Sequence, residues 1–161
     1  MEFTHFNDEG RARMVDVSAK AETMRTATAK STVYLNADTY KMVVEGKMKK
    51  GDVLAVAQVG GIMAAKRTFE MIPMCHPIRL TGTDISFKLD SEAHTIDVYA
   101  TAKCKGETGV EMEALCAASL AALTIYDMCK AVQRDIEIGN VMLLEKDGGK
   151  SGHFIRDENR K

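Results

Sequence analysis

Apolar positions recur along the chain with two periods. Val110, Ala114, Ala117, Ala121, Ile125, Met128 and Val132 follow one another at steps of three and four, the stripe of an α-helix lying on a core. Thr108 followed by Glu111 reads as a capping box at its start, hydroxyl and carboxylate each taking a backbone N–H that the first turn leaves unpaired. Its alanine-rich middle lets another element come close. Thr83 to Leu89 alternates instead, with Ile85, Phe87 and Leu89 on one face. Ile96, Val98, Ala100 and Ala102 resume the alternation after a turn at Asp90-Ser-Glu, which predicts an antiparallel hairpin with one buried face. A second helix is predicted from Asp52 to about Phe69, carrying Leu54, Ala57, Gly61 and Ala64. Its Gly60-Gly61 pair weakens the helix and permits close packing on the alanine-rich one. Thr32 to Leu35 reads as a short strand and Asp38 as the cap of a brief helix ended by Gly46. Ile136 to Ile138 and Val141 to Leu144 read as a last strand, with a bulge at Gly139-Asn140.

Residues 1–30 are mostly polar and lack a sustained period, so they read as a flexible N-terminal arm before a single catalytic domain over 31–161. Within that arm, Met14 to Lys20 suits either a specific role or a short strand lying on a neighbour. The element order is strand, helices, strand, strand, helix, strand. It predicts an α+β fold, one antiparallel sheet covered on one face by two main helices. The other sheet face then needs cover, which argues for a closed symmetric assembly of copies.

Composition narrows the function. With 161 residues, 45% of them hydrophobic, the chain suits one domain with a real core. A formal net charge of −1 gives no global field for nucleic acid, so an anion site must be built locally from lysines. Cys75, Cys104, Cys116 and Cys129 have no paired spacing and sit in apolar runs, as buried thiols of a reducing cytoplasm do. The first ten residues lack a basic flank, and no stretch approaches eighteen consecutive apolar residues. Secretion and membrane spanning are therefore not expected.

Charges interrupt the apolar C-terminal half of the long helix at Asp127 and Lys130. These lie about 60° apart round the axis, and Glu113 returns to within roughly 40° of that face. A solvated face accounts for the spacing. The flanking Tyr126, Met128 and Cys129 favour an embedded acid–base pair with shifted pKa values instead. Pro73 and Pro77 restrict the backbone around Cys75-His76, a position suited to a general acid/base or an orienting donor. Adjacent side chains on extended chain point opposite ways, which disfavours a Cys/His nucleophile pair, and no ligand quartet for zinc is apparent. Lys47-Met-Lys-Lys50, just before a helix N-terminus, suits a phosphate or an exposed loop. Lys146 to Gly152 lacks the spacing of a phosphate loop, though Lys146 and Lys150 can reach an anion.

Seven motifs, in order, carry a resemblance: Asp16-Val-Ser-Ala-Lys20, Lys50-Gly-Asp-Val53, Ala64-Ala-Lys-Arg-Thr68, Ile72-Pro-Met-Cys-His-Pro77, Thr108-Gly-Val-Glu-Met-Glu-Ala-Leu115, Leu123-Thr-Ile-Tyr-Asp-Met-Cys-Lys-Ala-Val132 and Gly148-Gly-Lys-Ser-Gly152. From about Thr4 to Phe154 the chain resembles the molybdenum cofactor biosynthesis protein C family, the cyclic pyranopterin monophosphate synthases. Glu107 departs from the lysine expected there, and Ile78 from leucine. The resemblance implies a ferredoxin-like α+β subunit in a cytoplasmic homohexamer, a trimer of dimers with active sites at subunit contacts. It implies a phosphorus-oxygen lyase that converts 3′,8-cyclo-7,8-dihydro-GTP to cyclic pyranopterin monophosphate and releases diphosphate. It needs no redox cofactor, leaves room for magnesium accompanying the triphosphate, and involves neither nucleic acid nor membrane. Carried onto this chain, the catalytic aspartate is Asp127, with Lys50 and Lys130 as partners whose pKa values a dry pocket would lower. Substrate contacts fall on Met74, Cys75, His76, Met112 and Glu113, and the phosphates are assigned to Lys66 and Lys150. The rival expectation is a non-catalytic ligand-binding module, since such folds also serve in regulatory oligomers.

Overall fold

The computed structural model describes residues 9–150 and 152–157. Its elements are β1 (Thr23–Tyr34), α1 (Ala37–Val44), α2 (Val53–Lys66), α3 (Thr68–Met71), β2 (Leu80–Asp90), β3 (Thr95–Gly106), α4 (Glu111–Cys129), β4 (Glu137–Asp147) and β5 (Phe154–Ile155). The strands form one antiparallel sheet in the order β2-β3-β1-β4-β5. With α2 and α4 as its crossovers, β1 to β4 have the ferredoxin-like arrangement, so the expected α+β architecture holds.

Several boundaries differ from expectation. β1 begins at Thr23, so Thr23 to Lys30, assigned to the arm, are part of a central strand. Arg25, Ala27, Ala29, Ser31 and Val33 alternate inward. Small and polar side chains carry little hydrophobic signal, which hid the period. They are small because α4 crosses β1 and β3, and Ala27, Ala29, Ala100 and Ala102 let it approach. The brief helix is capped by Asn36, whose side chain accepts from Thr39 N, with Asp38 in the first turn. The second helix starts where expected, with Asp52 as its cap accepting from Ala55 N, but breaks at Arg67 before the short α3. α2 packs on α4 as its glycines predicted: a Cβ at Gly61 would lie 2.9 Å from the Ala117 carbonyl oxygen, and one at Gly60 would lie 2.7 Å from Thr124 Oγ1.

The hairpin turn is held by Asp90 Oδ1, which accepts from Glu92 N and Ala93 N. The bulge in β4 appears as a register shift opposite Lys30–Thr32, with Asn140 at a φ of 50°. No capping box forms at α4: Val110 is its N-cap, without a side-chain bond, and Glu111 turns to Lys146.

The outer sheet face is polar. Lys30 Nζ lies 2.8 Å from Asp97, Thr32 donates to the same carboxylate, and Thr28 pairs with Thr101. Exposed apolar residues sit on the helical layer, at Val56, Val59 and Met63 of α2 and Leu123 of α4, and on the strands, at Met24, Leu89, Val141, Phe154 and Ile155. Apolar surface in need of cover is therefore present on the helices as well as on the sheet. α4 has the length and hydropathy of a membrane-crossing segment, yet it is the central core helix, with Ala114, Ala117, Ala118, Ala121, Ala122 and Ile125 fully buried.

Candidate active site

The candidate residues gather at the two ends of α4. At its C-terminal end, Lys130 Nζ lies 2.6 Å from Asp127 Oδ1. Lys50 Nζ lies 3.0 Å from Asp127 Oδ2 and donates to the Asp127 main-chain oxygen at 2.6 Å. Lys50 is delivered by the loop between α1 and α2. Buried Met48 anchors that loop, Gly51 turns it at a φ of 101°, and the Asp52 cap fixes its exit into α2. A lysine closing on the last turn of a helix also complements the helix dipole.

This cluster is not embedded as expected: the side chains of Asp127, Lys130 and Lys50 are 56%, 52% and 41% exposed. The cause is position, since Asp127 falls on the outer side of a helix whose buried side carries Met128 and Cys129. The hydrogen bond from Lys130, and next that from Lys50, lowers the Asp127 pKa. The same bond raises that of Lys130, opposite to the lowering expected for lysines in a dry pocket. Asp127 is thus held as carboxylate and Lys130 as ammonium, a form that carries a proton but releases it less readily than free lysine.

The N-terminal end is the reverse. Glu113 is 3% exposed and its Oε2 has no partner among the described residues. Burial raises its pKa to about 7, against the bond from its own backbone N–H. It lines a cleft of about 400 Å³ with Met74, Cys75, His76 and Met112. After the turn at Ile72–Cys75, where Cys75 N donates to Ile72 O, the chain runs extended through Pro77 and presents Cys75 and His76. Burial raises the Cys75 thiol as well, so it is no ready nucleophile.

An adjoining cleft of about 340 Å³ is lined by Lys20, Arg25, Lys146 and Lys150, and shares Lys20, Thr108, Gly109 and Glu111 with the first. Arg25 is 8% exposed and clamps the turn before α4, donating from Nε to Gly106 O and from Nη2 to Glu107 O. Gly148 and Gly149, at φ 97° and 76°, lie against the Met24 carbonyl and the Arg25 guanidinium, where no side chain fits. Lys146 pairs with Glu111 at 2.6 Å.

Lys150 therefore joins a cleft that is only slightly basic, its cations standing beside Glu107, Glu111 and Asp147. Lys66, exposed in the last turn of α2, lines neither cleft. Lys47 pairs with Glu45 at the surface, not with an anion. Among the described residues no three His, Cys, Asp or Glu side chains gather as a metal site.

Fourteen residues of helix separate Glu113 from Asp127, about 21 Å along the axis. α4 thus carries candidate residues near both of its ends, a buried group at one and a half-exposed group at the other. Sequence reasoning missed Lys20, Arg25 and Glu111 as cleft residues. Lys20 and Arg25 were read as part of a polar arm, and Glu111 as a cap. The one available signal was Asp16-Val-Ser-Ala-Lys20, quoted for the resemblance but given no role.

The MoaC family profile matches residues 14–149. The chain belongs to this family. Relatives named cyclic pyranopterin monophosphate synthase run nearly its whole length. The protein from Thermoanaerobacter pseudethanolicus is 62% identical over 98% of this chain and 99% of its own. Those from Desulfitobacterium hafniense and Clostridium acetobutylicum are 58% and 57% identical, over 100% and 96% of this chain and 98% and 96% of theirs.

Proposed function

We infer that this chain is a cyclic pyranopterin monophosphate synthase of molybdenum cofactor biosynthesis, a lyase acting on a nucleotide-derived substrate. It takes 3′,8-cyclo-7,8-dihydro-GTP, rebuilds its purine-derived ring as a pterin and joins a sugar hydroxyl to the innermost phosphate with loss of diphosphate. The observation that carries this reading is Lys50 meeting Asp127 and Lys130: one carboxylate between two ammonium groups, delivered from elements far apart in sequence. Ring opening, re-closure and phosphate displacement each need proton transfer and negative-charge stabilisation. Lys130 donates, Asp127 orients both amines, and Lys50 takes the second proton-transfer role.

Glu113 accepts from the guanine-derived edge, whose donors supply the partners that its buried oxygen lacks. Met74, Cys75, His76 and Met112 wall the ring. Lys20, Arg25, Lys146 and Lys150 line the cleft beside it and receive the triphosphate, with any magnesium entering on that substrate. Lys66 has no such support.

A ring contacted by Glu113 cannot also lie within hydrogen-bond reach of an Asp127 about 21 Å away on the same helix. The site is therefore composite: one copy supplies Glu113 and the basic cleft, another supplies Lys50, Asp127 and Lys130. Exposed apolar residues on α2 and α4 support contact between copies, and a cytoplasmic homohexamer built as a trimer of dimers satisfies the requirement in closed symmetry. Incubation with the cyclised dihydro-GTP, assaying diphosphate and the pterin product, tests the function. A ligand-binding module would retain the nucleotide unchanged.

A further inference from the structure

His76 is held by a main-chain group from the N-terminal segment: its Nε2 lies 2.6 Å from the carbonyl oxygen of Val15. A carbonyl oxygen has lone pairs and no proton, so it only accepts and Nε2 must be the donor. The proton is thereby located whatever the charge of the ring. In neutral imidazole, Nδ1 is then the nitrogen with the free lone pair. Among the described residues the Val15 carbonyl is the hydrogen-bond partner of the ring, and none engages Nδ1.

The segment carrying that carbonyl is shaped to present it. Asp16 Oδ1 accepts from Ser18 N at 2.9 Å and from Ser18 Oγ at 2.5 Å, and Lys20 N donates back to Val17 O at 2.9 Å. These two local turns lay Val15, Val17 and Lys20 along the wall of the cleft that holds His76 and Glu113. Pro73 and Pro77 restrain the backbone on either side of His76 but do not choose between its ring nitrogens. A half-turn about the terminal torsion would put Cε1 where Nε2 stands, so the carbonyl fixes the ring rotamer as well as the tautomer.

We propose that the Val15 carbonyl is a positioning group that fixes His76 as the Nε2–H tautomer, leaving Nδ1 as the atom that exchanges a proton with the bound nucleotide. The nucleotide's identity rests on the synthase reading, whereas the tautomer is a property of the protein alone. The segment before β1 is then part of the working site.

Nitrogen-15 NMR of histidine-labelled full-length protein reads the tautomer, the His76 signals being assigned by their loss in His76→Gln. The full chain can also be assembled by ligation at Met74–Cys75, with the Val15–Asp16 amide replaced by an ester. The ester weakens that one carbonyl as an acceptor and leaves every side chain in place. The proposal expects Nε2–H in the parent and a mixture of tautomers in the ester protein. It expects kcat to fall by about tenfold with KM unchanged within about twofold, a fraction of what acid–base groups contribute. A parent ring protonated on Nδ1 alone overturns it, as does an ester protein whose tautomer and kcat match the parent. A parent with the Nε2–H tautomer that leaves cyclised dihydro-GTP unconverted contradicts the synthase reading and the role given to Nδ1, while the tautomer assignment stands.

Discussion

The two ends of α4 treat their carboxylates in opposite ways. Asp127 stands half in solvent between two ammonium groups and is held ionised. Glu113 is sunk in the core layer with an oxygen unpaired, and is pushed toward neutrality. A structural role would favour pairing at the buried end, where an unsatisfied polar group costs most. The charge partners are at the exposed end instead, and the buried carboxylate faces a cleft. Each end lacks what the other has, and on that contrast rests the proposal that a second copy completes the site.

The largest expected effect is at the exposed end. Asp127→Asn should lower turnover by at least about a hundredfold while the melting temperature stays within a degree or so, because a half-exposed side chain contributes little to stability. Lys50→Ala should behave alike, and full turnover by either variant would remove the cluster from the chemistry.

At the buried end, Glu113→Gln should cut turnover by about tenfold or more, yet stabilise the fold. With the folded pKa raised from 4.5 to about 7, the folded state binds the extra proton between those values. Stability therefore falls as pH rises through this window, and the full penalty, about 3 kcal/mol, is present above pH 7. The glutamine variant should melt higher than the parent above pH 7 and match it below about pH 4.5. A smaller gain would measure how far a second copy's lysines neutralise the carboxylate.

Arg25→Ala strips donors from two buried-side carbonyls and should cost about 1–3 kcal/mol, with KM rising as the basic cleft loosens. An unchanged KM would separate the clamp from phosphate binding. Smallest for activity is Gly61→Ala, midway between the ends. Its Cβ would meet the Ala117 carbonyl and Ile85, costing about 1–3 kcal/mol by denaturant titration with kcat unaltered. A lost kcat would mean that the α2–α4 contact sets the spacing of the half-sites.

The fold was legible where side chains are large: the hairpin, α2 and α4 follow from Ile85, Phe87, Ile96, Val98 and the stripe through Ile125. β1 was half hidden because its inward positions are alanines, a serine and an arginine, small where a helix lies on them. The helical wheel placed Glu113, Asp127 and Lys130 on one face, whereas Glu113 is buried and the other two stand half in solvent. A wheel discards height along the axis, however, so it could not show that they lie too far apart for one ligand. The meeting of Lys50 with Asp127 was reachable only through the resemblance, since α2, α3, β2, β3 and most of α4 lie between them in the chain. Arg25 and Lys20 were obscured by the same polarity that made the arm look unstructured.

The composite site is tested most directly by mixing. Glu113→Gln and Asp127→Asn proteins, each assayed alone for its residual turnover, are unfolded together, refolded together and assayed. In a two-fold pair holding one of each, one site draws both intact halves and the other draws both altered halves, so random assembly restores about a quarter of the parental activity. Mixed assemblies, verified by mass, that stay inactive would contradict the account and return both residues to a single copy's chemistry.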